Sequence, residues 1–144
     1  MSATAAGVPI DITYEGELHC RLRHIPSASI IQTDAPVDNQ GKGAAFSPTD
    51  LVGAALGSCM LTTMGIVAQR HEWDIAGTRA HVVKEMISEP ARRIGRLSVT
   101  ITFGKTLDEK QQRLLEASAL ACPVHKSLHP DVDKRVQFVY PEPA

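Results

Sequence analysis

The stretch that decides the fold is SPTDLVGAALGSCMLTTMGIVAQR, residues 47–70. Ser47 can accept a backbone N–H as N-cap, Pro48 suits the first helical position, and Asp50 favours the positive end of a helix. These signals predict a helix from Pro48 to about Arg70. From Leu51 to Ala68 it runs for 18 residues without a charge, the lower limit for crossing a bilayer. Three glycines, Ser58 and the Thr62–Thr63 pair, with no flanking aromatic belt, favour a buried helix over a spanning one. A helix that is apolar nearly all round must be covered on every side, so it is expected to be the central core element.

The flanking segments change period. Before the helix, Ile12, Tyr14, Leu18, Cys20 and Leu22 alternate with polar neighbours, the mark of half-buried strand. Pro26–Ser27 supply a turn, and Ala28 to Thr33 reads as the return strand. Asp34 to Phe46, DAPVDNQGKGAAF, is too long for a simple turn, and loops of that kind are often functional. After the helix, Arg79–Ile87 and Ile94–Phe103 form a second strand pair turning at Glu89–Pro90. Thr106-x-x-Glu109 reads as a capping box for a helix over Leu107–Leu120 with Leu114 and Leu115 inward. A last strand is expected over Arg135–Tyr140. Strands, helix, strands, helix and strand in that order give the α+β class.

Composition narrows the function. The 144 residues carry 43% apolar and 22% charged side chains with a net charge of -1, which fits one domain spanning 1–144 and supplies no positive field for nucleic acid or an anionic membrane. Residues 1–9 hold no Lys, Arg or long apolar run, so they read as a loosely ordered segment and not as a secretory signal, and a cytoplasmic location is expected. Cys20, Cys59 and Cys122 are an odd number that cannot all pair within one chain, which excludes a disulfide scaffold.

Cys122 precedes Pro123, so it can cap a short helical turn over His125–His129, where a positive helix end would lower its pKa. Cys59 gains nothing from a mid-helix position unless a cation such as Arg is brought to it. Each could instead be a small core residue, and Cys20, among alternating strand residues, is expected to be structural. Cys122-x-x-His125-x-x-x-His129 also puts a thiolate and two imidazoles on one helical face, though the spacing is not that of a familiar zinc site. Glu85 lies in a strand with apolar residues on both faces, Val82 and Met86 against Val83 and Ile87. It is either a solvated strand residue or a half-buried acid in need of a cation.

The run FSPTDLVGAALGSCMLTTMGI (46–66), the preceding TDAPVDNQGKG and the later Cys122-Pro123-Val124 resemble the family of osmotically inducible protein C and organic hydroperoxide resistance proteins over about Tyr14–Tyr140. The resemblance implies antiparallel sheets around a long buried central helix in an intertwined homodimer. It implies a thiol peroxidase for organic hydroperoxides and hydrogen peroxide, with Cys59 peroxidatic, Cys122 resolving, no metal or flavin, and a dithiol reductant such as a lipoylated protein. In the hydroperoxide-resistance branch Pro-Glu-Glu opens the central helix and its first Glu pairs with an activating Arg. Here the positions read Pro48-Thr49-Asp50, with Asp50 about 14 Å from Cys59 along a straight helix. Glu85 is the substitute acid this suggests, with Arg23 or Arg21 as the cation. The missing Glu also motivates the alternative, the same fold kept as a weakly active or non-catalytic binder of small ligands.

Overall fold

The computed structural model describes residues 7–142. In chain order they form β1 (Ile10–Gly16), β2 (His19–His24), β3 (Ser29–Asp34), α1 (Pro48–Arg70), β4 (Arg79–Ile87), β5 (Arg93–Thr102), α2 (Glu109–Leu120), α3 (Pro123–Ser127) and β6 (Asp133–Val139). The class is α+β, with two three-stranded sheets ordered β1-β2-β3 and β4-β5-β6. The chain divides into two compact units, the first ending at Leu51 and the second beginning at Val52. The expected loose N-terminal segment lies, for residues 1–6, outside the described residues.

In the first unit the period-two run through Leu22 is two strands, because the chain reverses at Glu17–Leu18, both with positive φ (54° and 62°). Two-residue hairpins favour that left-handed pair because its twist matches the strands. Asn or Gly usually fills such a turn, so its composition hid it from the sequence reading. The long loop after β3 is tied at both ends to Asp34. Its N–H donates to the Phe46 carbonyl at 3.0 Å, and its carboxylate accepts the Ala44 N–H at 2.9 Å. Gly41 is obligatory in this loop, since a Cβ there would lie 1.6 Å from the Ala35 carbonyl oxygen. The loop delivers the chain to α1 through a reciprocal cap. Ser47 Oγ accepts the Asp50 N–H at 3.0 Å, and the Asp50 carboxylate accepts the Ser47 N–H at 2.9 Å.

In the second unit α1 buries Gly53, Leu56, Gly57, Met60, Met64 and Ala68, a single stripe at helical spacing. This stripe lies on β4 and β5, where Gly53 and Gly57 allow the helix backbone close to Val82 and Leu97. The alternation expected along β5 is present: Leu97, Val99 and Ile101 face the core, and Phe103 continues the row. Leu115 and Ala119 of α2 close over it. The long apolar helix is thus long and apolar enough to cross a membrane by length and composition, yet one face is core.

Several expectations are corrected here. Ala54, Ala55, Ser58, Thr62 and Ile66 of α1 are exposed, so one chain covers only one side of the helix expected to be buried all round. The second sheet is mixed, because β6 joins β5 in parallel. Parallel pairing needs a long crossover, and α2 and α3 form it. The α2 cap is Asp108 with Gln111, whose side chains bond reciprocally to each other's backbone N–H, and not Thr106 with Glu109. Leu115 points inward, whereas Leu114, expected inward too, is exposed. The outer face of β4, with Val83 and Ile87, is also exposed, so that strand is covered on one side only.

Candidate thiol site

Cys59 lies on the flank of α1, one position before the fully buried Met60, half-buried against the core. Cys122 follows the inward row Leu115 and Ala119 out of α2, and its side chain is 0% exposed. Both thiols are free, and they belong to one apolar cluster, near enough for Cys59 to act on the acidity of Cys122. Cys122 is the N-cap of α3, with Pro123 in the first turn as expected, and its Sγ accepts the His125 N–H at 3.4 Å.

Cys122 is not the acidic thiol that its helix-capping position suggests. Burial pushes this thiol up, the His125 N–H pulls it down by less, and the neighbouring Cys59 pushes it up further. Cys122 is therefore a protonated, water-excluded thiol, and Cys59 is the sulfur nearer to solvent. His125 is itself held below the usual histidine value, first by burial and then by Lys134 and Lys126, so its ring is neutral near pH 7. Cys122, His125 and His129 do not converge as metal ligands: among the described residues no group of three or more His, Cys, Asp or Glu does so. His129 Nδ1 instead accepts the Asp131 N–H at 3.0 Å.

Glu85 is not brought to Cys59 within the second unit. Ala80, Val82 and Lys84 of β4 point at α1, whereas Glu85 projects from the opposite face, where it faces Arg96 across the strands at 3.5 Å. Arg96 also bonds Asp133 at 3.0 Å, so the acid sits in a surface ion network and is solvated. Arg21 and Arg23 lie on β2 of the first unit, exposed, on the sheet face opposite Cys20 and Leu22. Thr49 Oγ1 stands 3.1 Å from Ser47 Oγ, and Asp50 is occupied by the cap. Cys20 is half-buried on the face shared by Ile12, Leu22 and Ile31.

Sequence reasoning missed a second polar cluster, in the first unit. His19 Nδ1 lies 2.5 Å from Asp34 Oδ1, and Asp34 is buried. Each shifts the other: the bond to Asp34 raises His19, and the bond to His19 lowers Asp34. A cavity of about 210 Å³ opens beside them, lined by Glu17, Gln32, Lys42 and Ala44 among others. His19 and Asp34 are partners in the β2–β3 register, a proximity set by hairpin geometry and by no linear spacing.

A two-sheet α+β fold with a thiol in its long central helix and a second thiol after the next long helix defines a class, and residues 41–136 match the family model of OsmC-like proteins. The chain belongs to the OsmC-like protein family. It is similar over 96% of its length and 99% of the other chain to a protein of Psychrobacter arcticus 273-4 named for an osmotic-stress-induced and detoxification response, with 47% identity and a TM-score of 0.87. It shares the fold of the organic hydroperoxide resistance protein OsmC of Legionella pneumophila, with 14% identity, a TM-score of 0.76 and coverage of 95% and 99%. It also shares the fold of an OsmC-like protein of Mycoplasma pneumoniae, with 14% identity, a TM-score of 0.78 and coverage of 96% and 100%. No curated protein matches the sequence.

Proposed function

We propose that the protein is a thiol peroxidase that reduces organic hydroperoxides, and hydrogen peroxide as well, through a Cys59–Cys122 disulfide. The observation that carries this reading is the placing of a partly buried and a fully buried thiol, from two different elements, in one apolar core cluster where Cys59 acts on the acidity of Cys122. In it, the Cys59 thiolate attacks the distal peroxide oxygen, the O–O bond breaks, and an alcohol (or water) leaves as Cys59 becomes a sulfenic acid. The Cys122 thiol then displaces the sulfenic hydroxyl, its proton leaves with that oxygen as water, and the disulfide forms. A dithiol, with a lipoylated protein the expected donor, restores both thiols. Burial keeps Cys122 protonated until Cys59 is oxidised, which protects it from direct oxidation, since the thiolate is the reactive form. Arg21 and Arg23 remain the cations to test for activating Cys59; Glu85, bonded to Arg96, has no part in this reading.

The working unit in this reading is a homodimer. Ile12, Leu22 and Ile31 form one cross-strand row in which Ile12 and Ile31 are 62% and 50% exposed, and α1 shows its own stripe of small apolar residues. Apolar area on that scale is what an isologous interface covers.

The test is to treat reduced protein with cumene hydroperoxide or hydrogen peroxide, titrate the thiols and map the products by mass spectrometry. Loss of two thiols per chain with a Cys59–Cys122 link is expected. Survival of all three in excess peroxide would leave a small-ligand binder as the reading. Equilibrium sedimentation at micromolar concentration should give twice the 15.6 kDa of one chain.

A further inference from the structure

We infer that the dithiol which reopens the Cys59–Cys122 disulfide attacks Sγ of Cys59 and expels Cys122, so that one sulfur meets both the peroxide and the reductant. This rests on the thiol-peroxidase reading and adds the direction of the exchange.

The argument is one of access. A thiolate must approach the sulfur it attacks from the side opposite the bond that breaks. Cys122 is 0% exposed in the single chain, packed with Leu115, Ala119 and the α1 methionines in the core cluster. A second subunit can only cover it further. Cys59 is only partly buried against that cluster, so of the two cysteines it alone keeps exposed surface in the chain. The departing sulfur is also provided for, since the His125 N–H donates to Cys122 Sγ at 3.4 Å and can stabilise the thiolate as the bond breaks. Burial makes Cys122 a poorer leaving group, which slows this route, but the other sulfur has no route without opening the core.

The electrons balance as follows. The first reductant sulfur, as thiolate, bonds to Cys59 Sγ while the Cys59–Cys122 bond breaks, and Cys122 takes up a proton. The second reductant thiolate then attacks the first reductant sulfur and releases Cys59. The dithiol loses two electrons and becomes a disulfide; the protein disulfide gains them and becomes two thiols.

Full-length protein is oxidised in parallel with cumene hydroperoxide and with diamide, then mixed briefly with the monothiol 2-mercaptoethanol. It is quenched with acid, alkylated with N-ethylmaleimide and digested with trypsin. Cleavage after Lys42, Arg70, Arg113 and Lys126 puts the two cysteines in separate peptides, 43–70 and 114–126. The mercaptoethanol adduct is expected on 43–70 and the alkyl group on 114–126, by at least tenfold over the reverse. Equal or greater adduct on 114–126 overturns the direction of exchange while leaving the peroxidase reading intact. A disulfide formed by diamide and not by peroxide removes the peroxidase reading, and the adduct on the diamide-treated sample still reports the direction. If neither oxidant links the two peptides, both fall. With Cys20 changed to Ser as background, Cys122→Ser should react with a chromogenic disulfide in the native state. Cys59→Ser should react only after denaturation, and fast native reaction of Cys59→Ser would also overturn the inference.

Discussion

Gly53 and Gly57 sit one helical turn apart on the buried face of α1, and replacing each by Ala should affect stability differently. Both changes gain the same helix propensity, about 1 kcal/mol, from a more restricted unfolded chain and a better helix former. The packing differs. A Cβ at Gly53 would lie 3.4 Å from Val82 Cγ1 and 3.6 Å from Leu97 Cδ2, close to ordinary contact. A Cβ at Gly57 would lie 2.8 Å from Val82 Cγ2 and 3.6 Å from Ala80 Cβ. Carbon atoms prefer about 3.5 to 4.0 Å, so the second methyl overlaps Val82 by about 1 Å. Val82 is β-branched and stiff at χ1, and its strand is held by β5, so relief must come from moving the helix. Overpacking of that size costs about 1–3 kcal/mol. Gly53→Ala should therefore stabilise by up to about 1 kcal/mol, and Gly57→Ala should lie about 1–3 kcal/mol below it. Urea unfolding followed by circular dichroism at one fixed protein concentration measures both. Adding Val82→Ala to Gly57→Ala should recover part of the loss that the same change fails to recover beside Gly53→Ala. If Gly57→Ala proves as stable as Gly53→Ala, the close helix–sheet approach is refuted.

Leu115→Ala empties a fully buried site in the core that seats Cys122, and should cost about 2–5 kcal/mol in the same assay. Asp108→Ala removes one half of the α2 capping box and should cost about 1 kcal/mol, with Asp108→Asn or Asp108→Ser retaining most of it. His19 and Asp34 set a pH window for the first unit. His19 is raised, so its contribution is complete below about pH 6.5 and is lost as pH rises through its folded value. Asp34 is lowered, so its contribution is complete above about pH 3.9 and is lost as pH falls through its folded value. Exchange of the Ala44 amide, which Asp34 holds, should be slowest between those limits once corrected for the intrinsic rate, and a His19 titration by NMR at or below 6.5 would contradict the bond.

Where local chemistry fixed the outcome, the sequence was readable. The Ser47–Pro48 start and the uncharged run to Ala68 gave α1 its bounds, and strict alternation gave β5 its inward face. The pairing of Cys59 with Cys122 came from resemblance; the structure adds that both belong to one apolar cluster. What escaped depended on three dimensions. Glu17 and Leu18 adopt a conformation their side chains do not announce, because the flanking strands demand it. Asp108 and Thr106 each open an overlapping capping motif, and the reciprocal bonds form at Asp108 and Gln111. The helix end beside Cys122 is visible in sequence, whereas the burial that raises its pKa is not. Glu85 was assigned a partner across the fold when its neighbour on the next strand, Arg96, was already in reach.

Cys122 lies inside the crossover between the parallel strands β5 and β6, far along the chain from Cys59. In an unfolded chain the two thiols are about 60 residues apart, whereas Cys20 and Cys59 are separated by about 40, and closing the shorter loop is favoured by about 0.4 kcal/mol. An oxidant that reaches the nascent chain would thus link Cys20 to Cys59 about twice as often, and that link would trap a misfolded species. Only completion of the crossover reverses the preference, by seating Cys122 against α1. The order of events in biosynthesis is then constrained: the chain must finish folding while reduced, and Cys59 meets Cys122 only as the last strand docks.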